Sequence, residues 1–183
     1  SDSIGNVLNT NLNYIYMSEN LIVSIQNEIG PFESDSCLSS TEFKVDSFTV
    51  HLNIKKRNDE NEILLNDAEN EVTIEIIDRK VKFTVKSVSV ESKEEIHGDE
   101  SVKITCVRER NTMIKIYING ELSNSNFNEN QREVTFLRKI QICRSSAVYG
   151  SLFVASYGYS YNEVMSLNDE KEWLKNFNIF NYK

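Results

Sequence analysis

Val102 to Ser123 reads V-K-I-T-C-V-R-E-R-N-T-M-I-K-I-Y-I-N-G-E-L-S and carries more structural information than any other part of the chain. Two runs rich in Val, Ile, Thr and Tyr, Val102 to Val107 and Met113 to Asn119, flank the polar turn Arg110-Asn111-Thr112. Branched and aromatic side chains of this kind suit the pleated, half-buried surface of a sheet. The second run ends in Asn119-Gly120, a pair that takes positive φ readily and turns the chain out of a strand towards Glu121-Leu122. The segment therefore predicts a β-hairpin closed by a second tight turn.

Period-two alternation extends on both sides of it. From Phe43 to Ile54 the sequence is F-K-V-D-S-F-T-V-H-L-N-I, with Phe48, Val50, Leu52 and Ile54 on one face and Thr49, His51 and Asn53 on the other. That pattern predicts a half-buried strand. Similar runs span Glu62 to Leu65, Val72 to Ile77, Val81 to Val90, Val134 to Cys143 and Ser151 to Tyr157, and shorter ones Tyr14 to Tyr16 and Leu21 to Ile25. Polar turns separate them at the spacing of an all-β sandwich, and no helix-period segment intervenes. Near the C-terminus, Ser160-Tyr161-Asn162-Glu163 is a capping box that predicts a short helix to about Ser166. A second short helix is expected after Asn168, with Trp173, Leu174 and Phe177 as its apolar face.

The chain has 183 residues, with 20 Lys+Arg against 28 Asp+Glu, a net charge of −8, and 39% hydrophobic residues. A chain of this size buries roughly 70% of its unfolded surface on folding, enough for one domain over residues 1–183 without staples. The acidic balance argues against a sequence-independent grip on nucleic acid or anionic lipid, both of which need a basic stripe. Apolar stretches such as Leu21-Ile22-Val23 fall far short of the roughly 20 residues that span a bilayer, so no membrane insertion is expected. A start at Ser1 without a basic, apolar leader fits a cytosolic protein lacking its Met, a processed secreted protein or an excised fragment.

Cys37, Cys106 and Cys143 are too few for a disulfide framework or a cysteine-based zinc site. Cys106 alternates with Val102 and Ile104 on the expected core face, whereas Cys143 points away from Ile140 and Ile142. A bond between those two is disfavoured; if a disulfide forms, Cys37 with Cys143 is the favoured pair, and Cys106 is a buried thiol.

The Met113 to Gly120 ending, M-I-K-I-Y-I-N-G, resembles the strand and turn of laminin-G-like domains in the concanavalin A-like lectin/glucanase superfamily. Two further elements agree in order: Phe48 to Lys55, and Gly150 to Val164, where Ser160, Glu163 and Val164 match the closing helix. The first departs from the family in carrying His51 and Leu52 where Ala-Trp is common. The resemblance covers about Phe43 to Leu167. The hairpin is also similar to the lectin-like jelly roll of clostridial neurotoxin receptor-binding regions, whose companion there is a β-trefoil; 183 residues cannot hold both. The implied fold is an all-β, two-sheet antiparallel jelly-roll sandwich with short C-terminal helices.

The resemblance implies a non-catalytic recognition module that binds a glycan or protein ligand in adhesion or receptor binding, extracellular or surface-exposed. The alternative is a structural or assembly domain of a larger protein complex. Glycosidases on this fold set carboxylates along one strand face. Here Asp67-Ala68-Glu69-Asn70-Glu71 lies in a turn, and Glu75 and Asp78 point to opposite faces, so no catalytic residue is assigned. His51 reads as a sheet-face residue and His97 as a turn residue. Calcium, which laminin-G-like domains hold at a rim, is the one cofactor the resemblance brings, with oxygens available from Asn58, Asp59, Glu60, Asn66, Asp67 and Glu69; no fixed ligand spacing marks a metal set. A sugar platform would draw on Tyr157, Tyr159 and Tyr161, although their place beside the closing strand favours partial burial. Candidate ligand-binding residues are thus Tyr157, Tyr159, Asn58, Asp59, Asn66 and Asp67.

Overall fold

The alternating runs become strands in the computed structural model, which describes residues 14–15, 21–25, 28–32, 37–40, 43–67, 69, 71–110, 113–127, 136–137, 140–143, 145–167 and 179–180. In chain order the strands are β1 (Tyr14–Ile15), β2 (Leu21–Ile25), β3 (Cys37–Ser39), β4 (Phe43–Lys44), β5 (Phe48–Lys55), β6 (Glu62–Asp67), β7 (Val72–Ile77) and β8 (Lys80–Val85). There follow β9 (Val88–Glu95), β10 (Ser101–Arg108), β11 (Met113–Ile118), β12 (Glu121–Phe127), β13 (Phe136–Leu137), β14 (Ile140–Cys143), β15 (Val148–Ala155) and β16 (Ile179–Phe180). A six-residue helix, α1 (Tyr161–Ser166), lies between the last two. The helix expected after Asn168 lies outside the described residues.

Two antiparallel six-stranded sheets form the predicted sandwich. The first has the order β12-β11-β10-β5-β15-β2 and the second β3-β14-β6-β7-β8-β9; β1 pairs with β16 and β4 with β13 in two small ribbons. Phe48, Val50, Leu52 and Ile54 of β5, Ile104 and Cys106 of β10 and Leu152 and Val154 of β15 face the interior. They meet Val72, Ile74 and Ile76 of β7 and Val81, Phe83 and Val85 of β8 in one continuous core. The Phe48 and Phe83 rings meet edge-on, 6.2 Å apart at 83°, tying the two layers together.

The turns follow the residues available. Asn119 (φ 51°) and Gly120 (φ 86°) close the two-residue loop between β11 and β12, as the sequence predicts. The run Val81 to Val90 is not one strand: Lys86, at φ 56°, and Ser87 break it into the β8–β9 hairpin. β12 was not legible as a strand. Its Asn124 and Asn126 amides donate to the Glu91 and Ser89 carbonyls of β9 at 2.9 and 2.8 Å, and its Ser123 hydroxyl accepts from the Lys93 amide at 2.8 Å. Side chains of one sheet's edge thereby satisfy backbone groups on the other's, which closes this side of the sandwich against further strand pairing.

Cys106 is a buried free thiol and Cys143 is disulfide-bonded. Cys143 stands directly across the β14–β3 ladder from Cys37, the one other cysteine in the chain.

Ser123→Ala removes the acceptor for the Lys93 amide and is expected to cost about 1–2 kcal/mol in urea unfolding. Hydrogen exchange at the Lys93 amide should accelerate relative to its β9 neighbours; an unchanged rate would show that the inter-sheet clasp does not hold.

Candidate functional site

Cross-strand register builds the outer face of the first sheet in rows. Thr49 lies beside Val107 and Ala155, His51 beside Thr105 and Phe153, Asn53 beside Lys103 and Ser151, and Lys55 beside Ser101 and Val148. The first two rows are buried throughout; the third is partly buried, with Ser151 enclosed, and in the last Lys55 and Ser101 are exposed.

Residues 156–167 fold over the covered half. Tyr159, Val164 and Leu167 pack with Val107, Tyr117, Phe153 and Ala155 in a second small core, with Tyr157 against it. Thr49 Oγ1 fastens this strap, donating to the Tyr157 carbonyl at 2.9 Å and accepting from the Tyr159 amide at 2.8 Å. The capping box holds α1 on top: Ser160 Oγ accepts from the Glu163 amide and Glu163 Oε1 from the Ser160 amide. Thr49 and His51 are therefore buried, where the alternation alone placed them on the open face of a half-buried strand. The His51 ring stacks on Phe153 at 5.2 Å, and its Nδ1 shares a 2.9 Å hydrogen bond with Thr105 Oγ1. Burial, followed by the nearby Lys103 charge, pushes the imidazole pKa down to about 3.

The six candidate residues do not converge. Tyr159 is buried in the second core, and Tyr157, half-buried, donates to Glu163 Oε2 at 2.7 Å. Of the three tyrosines in this segment, Tyr161 alone is exposed; its hydroxyl donates to Glu121 at 3.1 Å. Asn58 Oδ1 accepts from the Glu60 amide within its own loop, and Asp59 Oδ1 accepts from the Gly98 amide of the connection between β9 and β10. Asn66 and Asp67 sit at the far end of β6, about 17 Å away at the rise of an extended strand. Asp67 is fully buried rather than a solvated turn acid: Oδ1 accepts from the Val72 amide at 2.9 Å. Its Oδ2 and Glu71 Oε2 are buried with no hydrogen-bond partner.

Calcium takes six to eight oxygen ligands, and among the described residues no group of three or more His, Cys, Asp or Glu could hold a metal.

The uncovered half contains what sequence reading missed. A cavity of about 410 Å³ opens over the Asn53, Lys55, Ser101 and Val148 positions, with Gly150 in its lining and Glu28, Arg57 and Asp99 at its rim. Three strands and three connecting segments build it. Beneath, the fully buried Lys56 ammonium bonds the Glu60 carbonyl and pairs with Glu62 at 3.3 Å. Glu62 in turn accepts from the Ser145 and Ser146 hydroxyls at 2.8 and 2.6 Å. The sequence signals, a lysine-lysine-arginine run and a glycine at the head of a β-rich run, acquire meaning only once β5, β10 and β15 are aligned.

No protein family and no curated protein matches the sequence. The fold does have solved counterparts. A structure from work describing cell entry of botulinum neurotoxin type C as dependent on two ganglioside molecules aligns at TM-score 0.66 and 15% identity, over 83% of this chain and 51% of that one. The botulinum neurotoxin type G receptor binding domain aligns at 0.63 and 13%, over 96% and 48%. A heptameric SAP-like pentraxin from Limulus polyphemus aligns at 0.68 and 12%, over 79% and 82%. The chain spans about half the length of the neurotoxin structures. These likenesses show a jelly-roll sandwich fold and do not single out a laminin-G branch. No helix among the described residues is long and apolar enough to cross a membrane.

His51 gives the covered half a pH signature. Above about pH 6.5 the ring is neutral folded and unfolded; between 6.5 and 3 the unfolded chain binds a proton that the fold refuses. Stability should therefore fall by about 1.4 kcal/mol per pH unit as pH drops through that window, or about 2 kcal/mol between pH 7 and 5. His51→Gln is expected to lose that component in urea titrations at the two pH values. An identical slope in both proteins would contradict a neutral, buried ring.

Proposed function

We propose that this chain is a non-catalytic recognition module, one domain that binds a glycan or a protein surface in adhesion or receptor binding. The observation that carries this reading is the division of the outer sheet face. One half is sealed by its own strap, and the other presents an open polar cavity bordered by connecting segments. Concave sites with a few polar groups on a rigid scaffold are where small ligands bind. The shared architecture supports the same reading, since receptor binding domains and a pentraxin are built on it. The disulfide at Cys143 supports an extracellular or surface-exposed setting, because such bonds persist in oxidising compartments.

A second reading, an assembly domain contacting protein partners, draws on a different place. Leu122 and Tyr161 are 49% and 43% exposed on either side of Tyr117, which pairs with Leu122 across the β11–β12 ladder and lies 6.4 Å from the Tyr161 ring.

A glycan array and a cell-surface binding assay with the full chain, each with and without chelator, separate the readings. Saturable binding that survives the chelator, with no release of cleaved sugar, is the expected result. Two blank assays, or hydrolysis of a bound glycan, would overturn it. A defined protein partner lost in Leu122→Ser and Tyr161→Ser, and indifferent to added sugar, would favour the assembly role.

A further inference from the structure

We propose that the open cavity at Gly150 is the ligand site, and that it takes an uncharged saccharide unit of a glycan. This rests on the recognition-module reading and sharpens it to one place and one ligand class.

The first observation is Gly150 itself. It is the extra residue of a bulge, since Tyr149 stands opposite Ile54 and Ser151 opposite Asn53. Its φ lies outside the left-handed range. The three atoms nearest to a Cβ built on it all belong to Asn53, with Nδ2 closest at 3.6 Å, an ordinary contact. At Gly98, by contrast, a Cβ would come within 2.9 Å of the Asn58 backbone. Neither backbone geometry nor packing therefore demands glycine at 150. What its bare backbone does is leave the cavity open, and bulges and strand glycines recur where a ligand must approach a sheet.

Charge is the second observation. Lys55 and Arg57, with Glu28 and Asp99, line the cavity, and all four are exposed. None has an ion-pair partner among the described residues, while the neighbouring Lys56 is committed to Glu62. An anionic ligand would face two carboxylates and a cationic one two positive groups. A sugar hydroxyl both donates and accepts, so it can use cations, carboxylates and the Ser101 hydroxyl together. Val148 adds an apolar contact for the ring's C–H edges.

Size agrees with both. About 410 Å³ lies at the small end of the roughly 300–1,000 Å³ typical of small-molecule sites.

The test is a titration of the full chain, by ligand-observed NMR, with neutral oligosaccharides and their sialylated and sulfated counterparts. Wild type, Gly150→Phe and the double variant Lys55→Ala/Ser101→Ala are compared, with the melting temperature recorded for each. Neutral sugars should bind, with affinity changing by less than about twofold as salt rises several-fold. Gly150→Phe should lose binding by about tenfold or more through filling the cavity while melting like wild type. If Gly150→Phe fails to fold, the double variant decides, and its binding should weaken without loss of stability. Unaltered binding in the folded variants would overturn the site while leaving the module reading intact. A salt-sensitive preference for sialylated or sulfated sugars would overturn the ligand class. No binding to any glycan, together with a blank cell assay, would remove both.

Discussion

Strand β5 has to bury both of its faces at one end and only one at the other, and the rest of the molecule is arranged around that demand. Inside the sandwich, Phe48, Val50, Leu52 and Ile54 face β7 and β8. On the outside, Thr49 and His51 are polar and are enclosed all the same. A buried hydroxyl or imidazole without a partner costs about 1–3 kcal/mol. The strap over residues 156–167 is therefore threaded so that Thr49 bonds its backbone twice and His51 finds Thr105. The cover stops at Phe153 and Ala155, and the same strand continues uncovered through Asn53 and Lys55. The open face is the remainder of a packing problem solved on the other half.

That division explains why this sandwich can present a cavity on a sheet rather than only on its loops. A flat sheet face offers no concavity. Here the connecting segments that carry Glu28, Arg57 and Asp99 line the cavity together with the strand positions beneath them, and the bulge residue Gly150 lies in the same lining. Lys56 and Glu62 pin the base of the wall from inside, with Ser145, Ser146 and Tyr149 satisfying the remaining polar atoms. A buried ion pair of this kind specifies geometry more than it adds stability, because desolvation offsets much of its attraction.

Much of the sandwich was legible in the sequence, because residues buried on one face declare themselves by alternation. β5, β7, β10 and β11 follow the period-two pattern, and both Asn119-Gly120 and the Ser160 capping box did what their chemistry requires. The turn at Lys86-Ser87 escaped, because neither residue advertises a left-handed conformation and valines flank it on both sides. β12 escaped for another reason: its asparagines serve the β9 edge instead of a core, so no alternation marks it. Sequence placed Tyr157 and Tyr159 correctly beside the closing strand, where partial burial competed with a sugar platform. The strap's packing makes them part of the cover. The cavity was not legible at all, since Lys55, Ser101 and Gly150 come from three strands whose register only the fold supplies.

The central claim is that the uncovered end of β5 is where this chain recognises its ligand. Mapping backbone amide shifts of the full chain during titration with a neutral oligosaccharide tests it most directly. The account predicts perturbations centred on Asn53, Ser101 and Gly150, fading towards His51. Shifts centred instead on Leu122 and Tyr161, with none around Gly150, would contradict it.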